Sequence, residues 1–305
     1  MKKLAIGIDI GGTRTKGGLV DLNDGRVIEK FIFPTETTDV ARFEQSLHAA
    51  IDNLRKKADN IQLPIVGIGV GVSGFVWEDG RVDTTFGFMD FLDDYPLADI
   101  LTKTHALNCL IDNDARLVAL GEAVFGNGKA YDRVLVLTLG TGLGVGFVTK
   151  KRLTEKLPFG HMAGHIKISD ATDRCYCGKM GCLESLVSAS GIIQAAHRLQ
   201  WFEKYPDVPL RADSLFDAQA EGNLLAGQVV EAFLNNLKSG ISNYVNIYAP
   251  EIVILGGGLA GSLQKFLPDL QSAVQLGPTK NYTYQLQISK LHELAGILGS
   301  AALFL

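Results

Sequence analysis

The sequence predicts an α/β protein built as two similar lobes, and three observations carry that prediction. Its 305 residues exceed what one core usually serves, so two lobes of roughly 100 to 200 residues each are expected. Short apolar strands alternate with helical stretches along the chain. One design, a buried strand, a Gly/Thr turn and a glycine-spaced second strand, occurs twice: as "DIGGTRTKGGLVD" and as "LGTGLGVGFVTK". Each copy opens a segment of more than 100 residues, as a duplicated lobe would.

The elements follow from local pattern. Alternating apolar and polar residues with Gly, Asn and Asp at the turns predict antiparallel strands over 3–10, 15–22 and 26–33. Phe43, Leu47, Ala50, Ile51 and Leu54 share one helical face, so "DVARFEQSLHAAIDNLRKKA" is an amphipathic helix. "IVGIGVGVSG" reads as a strand buried on both faces, and "PLADILTKTH" as a helix. "CLIDNDARLVALGEAVFG" reads as strand, turn and helix, and "RVLVLTLGTGLGVGFVTKKRL" as the second hairpin set. Helices are expected over 184–200, 213–220 and 223–248, then strand, triple glycine and helix start in "PEIVILGGGLAGS". "YQLQISKL" is a late strand, and the apolar helix in "HELAGILGSAALFL" should pack back onto the first lobe.

Composition narrows the function. A formal charge of -4 gives no basis for nucleic acid or an anionic membrane as partner. Asp9 cuts the N-terminal apolar run to five residues, too short for an export signal, and no stretch reaches the length of a transmembrane helix. With four cysteines and no export signal, the expected compartment is the cytoplasm.

Three glycine turns point to phosphate chemistry: "DIGGT" with Gly11, Gly12 and Thr13, "LGTG" with Gly140, Thr141 and Gly142, and "LGGG" with Gly256, Gly257 and Gly258. Glycine leaves backbone N–H groups uncovered for an anion, and the threonines add hydroxyl donors. Asp9, ending a strand beside the first turn, is placed to hold hydrated magnesium. None of the turns is a P-loop, and "GTGLGVG" leads into a strand where a dinucleotide fingerprint needs a helix.

Asn113 and Asp114 end an apolar strand just before a helix, where such a pair either caps the helix or serves a reaction. Phosphoryl transfer to a hydroxyl needs a carboxylate near the attacking oxygen, but taken alone the pair reads first as a helix cap. Cys175, Cys177 and Cys182 form C-x-C-x4-C with glycines at the turns. A disulfide explains two of the three; structural zinc needs a fourth ligand, for which His165 and His161 both qualify. Cys109 lies in an apolar strand and reads as core.

Taken together, "DIGGT", "LGTGLGVG" and "ILGGG" resemble the phosphate and adenosine motifs of the sugar kinase, Hsp70 and actin superfamily, and within it the ROK family of sugar kinases and repressors. The resemblance runs to the terminal "AGILGSAAL". It implies a two-lobed, actin-like ATPase (ribonuclease H-like) fold, each lobe a mixed sheet with flanking helices: 1–115 plus 293–305, and 116–292 with the zinc motif. It implies an ATP- and magnesium-dependent kinase acting on a hydroxymethyl group of a hexose or related sugar. The first two glycine motifs would flank the phosphates of ATP and the third would lie by the adenosine.

"NDA" is similar to the family's catalytic motif, which makes Asp114 the base and Asn113 a sugar ligand. "GHIKISDATDRCYCGKMGCLE" resembles the family's zinc signature, which makes His165 the fourth ligand, also touching the sugar, and Glu184 a sugar contact. "GVSGFV" resembles the glycine turn on the sugar side, where Gly74 lets the backbone approach the ligand. Family members are usually dimers or tetramers, so a homodimer or homotetramer is expected.

Two places depart from the family. Met162 stands where a sugar-contacting glutamate is usual, with His161 beside it, so the substrate differs around its first carbon or His161 compensates. Before "PLADIL" an Asn and a Trp are missing; Phe86, Phe88 and Phe91 are there instead, and Asp90 is the candidate hydroxyl acceptor. Lys16 is within reach of a phosphate but reads first as a solvated strand lysine, and Asp112 is given no catalytic role. The rival readings are a degenerate, sugar-binding or sensing protein of the same family, motivated by these departures, and a repressor. The second is set aside because "DIGGT" starts at residue 9, leaving no room for a DNA-reading helix-turn-helix.

Overall fold

A computed structural model describes residues 3–84, 89–154, 162–170, 174–272 and 281–305. His161, Phe86 and Phe88 lie outside the described residues. The chain divides into two compact units, Met1–Asp132 with Gly146–His161 and Lys290–Leu305, and Arg133–Val145 with Met162–Ser289.

The first unit opens with β1 (Leu4–Ile10), β2 (Arg14–Asp21) and β3 (Arg26–Pro34), within a residue or so of the expected strands. Helix α1 (Val40–Asn60) is capped by the Asp39 carboxylate and buries the face of Phe43, Leu47, Ile51 and Leu54. Then come β4 (Ile65–Val72), the short hairpin β5 (Phe75–Val76) and β6 (Val82–Asp83), α2 (Leu97–His105), β7 (Cys109–Asn113) and α3 (Asp114–Val124). The sheet runs β3-β2-β1-β4-β7, with β1, β4 and β7 parallel. Cys109 belongs to the apolar core of this sheet.

Next are β8 (Arg133–Leu139), β9 (Leu143–Thr149) and β10 (Arg152–Leu153). The second unit then supplies α4 (Leu183–Val187), α5 (Ala189–Arg198), α6 (Trp201–Lys204), α7 (Ala212–Ala220), α8 (Leu224–Tyr248), β11 (Ile252–Gly256), α9 (Leu267–Ser272) and β12 (Gln285–Ile288). This sheet runs β10-β9-β8-β11-β12, with β8, β11 and β12 parallel. Its order repeats the first sheet strand for strand, so the echo of the two Gly/Thr turns is an echo of whole sheets.

The helix expected over 184–200 is two pieces, α4 and α5, with α6 beginning just after it. Ser188 is extended and its hydroxyl caps α5 by accepting from Gly191 N, while Gln200 breaks the next turn with φ of 55°. The helix expected after the triple glycine begins as a 3₁₀ run, Ala260–Phe266.

The last helix, α10 (Ala295–Ala302), is buried along its length in the first unit, between the sheet and α3. Small residues let its backbone touch both. A Cβ on Gly69 of β4 would lie 1.8 Å from Ser300 O, and one on Gly299 would lie 1.7 Å from Leu117 O of α3. The Ser300 hydroxyl donates to Ile8 O at 2.8 Å. This packing keeps α3 whole within the first unit, so residues 116–132, assigned from sequence to the second lobe, group with the first. Gly299→Ala is expected to cost about 3 kcal/mol, since the added methyl meets backbone that cannot turn aside. An unshifted urea midpoint would show that α10 is not held this way. Among the described residues no helix is long and apolar enough to cross a membrane.

Candidate functional site

In the first unit, Asp9 is the second-last residue of β1, and the hairpin register sets it opposite Lys16. The Lys16 ammonium lies 4.0 Å from Asp9 Oδ2, and both side chains are 19% exposed. Lys16 is therefore a partner of Asp9 and not the solvated lysine expected. Gly296 of α10 leaves the carboxylate its space, since a Cβ there would lie 2.7 Å from Asp9 Oδ2. Burial holds the Asp9 carboxyl above its usual range, against the opposing pull of Lys16.

The turn between β1 and β2 is tied down at Gly11, whose N–H donates to Arg14 O at 3.2 Å and whose carbonyl accepts from the Thr35 hydroxyl at 2.6 Å. Thr13 O accepts from Thr35 N at 3.0 Å. Gly12 lies between them.

Asn113 ends β7 and caps α3: Oδ1 accepts from Arg116 N at 3.2 Å, and Nδ2 donates to Gly74 O at 2.9 Å. Gly74 has φ of 116°, a conformation suited to glycine, so the turn it makes brings its carbonyl to Asn113. Asp114 is the first residue of α3, and its Oδ1 accepts from Ala115 N at 2.8 Å. Burial first, and then the charge of Asp9, push the Asp114 carboxyl up to about 7. Two carboxylates that disfavour each other's charge mark a place where a cation or a proton is welcome. Neighbouring Asp112 is paired with Arg116, Nε to Oδ1 at 2.9 Å, in a buried structural link. Asp90 is exposed at the start of a 3₁₀ turn, and Phe91 packs on Phe43 with ring centroids 5.4 Å apart.

In the second unit, the turn between β8 and β9 is braced by the start of α5. Ala189 N donates to Gly140 O at 2.8 Å, and the Ser190 hydroxyl donates to Thr141 O at 2.7 Å. Gly256 ends β11, and Gly257, with φ of 84°, turns against Leu139, where a Cβ would lie 2.4 Å from the carbonyl oxygen. A Cβ on Gly140 or Gly258 would meet none of the described residues within 4 Å, and neither has positive φ. Chain packing does not require glycine at these two places; a ligand approaching the bare backbone would.

His165 ends the 3₁₀ turn Met162–His165, which the Tyr244 hydroxyl of α8 holds by donating to Ala163 O at 2.7 Å. Among the described residues, one group could hold a metal ion: His165, Cys175, Cys177 and Cys182, whose ligand atoms all lie within 4.8 Å of one another. Cys177 and Cys182 sulfurs are 3.7 Å apart, and Cys175 Sγ is 3.4 Å from His165 Nδ1. Zinc–sulfur bonds of about 2.3 Å in a tetrahedron put sulfurs about 3.8 Å apart, close to the Cys177–Cys182 spacing, so the group fits a tetrahedral ion. Without one, burial pushes the Cys175 and Cys182 thiols up and the His165 imidazole down.

Glu184 follows in α4, buried, with Gly142 beside it: a Cβ there would sit 3.4 Å from Oε1. Burial pushes its carboxyl up to about 7, opposed by hydrogen bonds from the Tyr176 hydroxyl and Leu143 N–H. Tyr176 was not singled out from sequence. Its signal was its place between two cysteines of the metal loop.

The sequence matches the ROK family over residues 5–305. The chain belongs to the ROK family. It is 32% identical over 318 residues to a glucokinase of Thermotoga maritima, covering 98% of this chain and 96% of that protein. A ROK hexokinase from Thermus thermophilus superposes with a TM-score of 0.81 at 25% identity, over 99% of this chain and 97% of the other. A ROK family glucokinase from Streptomyces griseus, in complex with glucose and AMPPNP, gives 0.80 at 25% identity over 98% of each chain. The fold is the actin-like ATPase fold of these ROK kinases, as the glycine motifs implied.

Proposed function

We propose that this ROK protein is an ATP-dependent kinase for a hydroxymethyl group of a hexose or related sugar, glucose-like sugars first. The observation that carries the reading is Asp114, a carboxylate held near neutrality at the head of α3 beside Asp9, within a chain that matches ROK kinases end to end. A base that titrates near the working pH takes a proton most effectively. Asp114 accepts the proton of the attacking hydroxyl. Asn113, Gly74, Glu184, His165 and Asp90 are the sugar contacts, with Asn113 fixed by its cap and Gly74 bonds.

The turns at Gly11, Gly12 and Thr13 and at Gly140, Thr141 and Gly142 bind the ATP phosphates, and Gly256, Gly257 and Gly258 lie by the adenosine. Asp9 suits a water-shelled magnesium, which neutralises phosphate charge when bound. His165, Cys175, Cys177 and Cys182 hold zinc, which supplies structure only. The same reading makes the protein a cytoplasmic homodimer or homotetramer with no nucleic-acid partner.

The test is sugar-dependent ADP release, in a coupled assay with magnesium and ATP over glucose, mannose, fructose, N-acetylglucosamine and N-acetylmannosamine. One sugar should give saturable turnover, and none doing so would end the proposal. A second reading, a sugar-binding protein without turnover, is favoured by the altered segment before "PLADIL" and by Met162, which leaves no carboxylate in the 3₁₀ turn before His165. Calorimetry that finds sugar binding but no ATP binding would favour that reading over the kinase.

A further inference from the structure

We propose that Tyr176 is a positioning residue for sugar recognition: its hydroxyl links the imidazole of His165 to the carboxylate of Glu184 and leaves one carboxylate oxygen to the sugar. The proposal rests on the sugar-kinase reading of Glu184.

His165 Nε2 and Glu184 Oε2 are 3.9 Å apart, too far for a direct hydrogen bond. The Tyr176 hydroxyl lies between them, 3.3 Å from Nε2 and 3.5 Å from Oε2. Chemistry sets the direction of the chain. His165 turns Nδ1 toward Cys175 Sγ, the metal side of the ring, so Nε2 carries the hydrogen, shared between the phenol oxygen and the sugar hydroxyl that His165 contacts. The phenol hydrogen is then left for Glu184, which as a carboxylate only accepts. A metal drawing on Nδ1 makes Nε2–H a better donor, and each bond in such a chain strengthens the next.

The loop aims the ring. Tyr176 is flanked by Cys175 and Cys177, and Gly178 N donates to Cys175 O at 2.9 Å while Cys175 N donates to Lys179 O at 2.8 Å, which closes a tight turn around it. Its ring meets His165 edge to face, with centroids 5.2 Å apart at 80°. Oε2 is thus the phenol's partner, and Oε1, the oxygen beside Gly142, is the one offered to a sugar hydroxyl.

The test uses Tyr176→Phe, which keeps the ring and removes the hydroxyl, with glucose and its mono-deoxy analogues as probes, read by calorimetry and by KM. For glucose, Kd and KM are expected to rise about tenfold, with the loss carried by KM rather than kcat, and with bound zinc by chelator titration unchanged. Glu184→Gln identifies the deoxy analogue that lacks the hydroxyl Glu184 holds, because on it the substitution costs nothing. Tyr176→Phe should cost nothing on that same analogue.

A Tyr176→Phe protein that binds glucose as wild type does, or that loses the same factor on every analogue, overturns the proposal. Wild-type protein that binds glucose without turnover overturns the kinase reading, and the same calorimetric comparison still decides Tyr176. Wild-type protein that binds none of the five sugars of the coupled assay overturns both.

Discussion

Asp114→Asn is expected to lower kcat about a thousandfold while glucose binding stays measurable, because the amide keeps the shape of the side chain and cannot take a proton. The acid limb of the pH profile should report the same group. Its carboxyl is pushed up to about 7, mainly by burial and then by the charge of Asp9, so the reactive, ionised form is lost as pH falls below that value. For the wild type, kcat should drop about tenfold per pH unit below about 7. The Asp114→Asn residual rate should show no such limb. Glu184 is also raised to about 7, by burial, and as a sugar ligand it would bend KM; reading kcat separates the two. A kcat within tenfold of wild type for Asp114→Asn would remove Asp114 from the chemistry.

Linkage adds a second, independent readout. The Asp114 carboxyl titrates higher in the folded chain than its ordinary 3.8, so the folded state holds its proton when the unfolded state has already released it. That contribution to stability is complete below about 4 and is lost as pH rises through about 7. Removing the charge should therefore raise the unfolding temperature of the metal-free protein more at pH 8 than at pH 5. Catalytic groups commonly carry such a cost, and a group held only by structure would not show a stabilised but inactive variant.

Sequence order alone carried much of the architecture. The alternation in residues 3–33 and the apolar run of β4 specify strands closely, because a strand buried on both faces has few other ways to read. The paired Gly/Thr turns also foretold two sheets of like order, which the strand sequences β3-β2-β1-β4-β7 and β10-β9-β8-β11-β12 repeat. What escaped was contact between distant segments. Nothing local in "LVALGEAVFG" says that Gly121 must meet Ala295, or that α3 stays in the first unit because a C-terminal helix is wedged against it. The Asp9–Lys16 pair was closer to legible, since a turn that leaves four residues, 11–14, between paired Ile10 and Thr15 also pairs Asp9 with Lys16. A strand lysine commonly faces water, but here its cross-strand partner decides where its ammonium lies.

Removing the metal should have the widest effect on the second unit. Three sulfurs and an imidazole sit within 4.8 Å, and their thiols are raised by burial, so without a cation the loop must hold neutral thiols that bond poorly. Among the described residues the backbone ties of the loop are Ile168 N to Gly181 O at 3.0 Å, Leu183 N to Ile166 O at 2.9 Å, the two bonds that close the turn around Tyr176, and isolated bridges at Lys167–Cys182 and Arg174–Met180. Structural zinc contributes on the order of 10 kcal/mol in small domains, far more than these bonds supply. Glu184 is two residues past Cys182, and His165 is one of the four groups that could hold the ion, so both proposed sugar contacts ride on the same loop. Each hydrogen bond to a charged group is worth about 1.5–3 kcal/mol, and losing two weakens sugar binding by about a hundredfold or more. Dialysis against a strong chelator under reducing conditions should therefore lower both the unfolding temperature and glucose affinity, with zinc restoring each. Cys177→Ser and Cys182→Ser should behave like the chelated wild type, whereas Cys109→Ser, in the core of the first unit, should keep its zinc. Chelated protein that binds glucose at full strength would mean that the loop needs no ion to present Glu184.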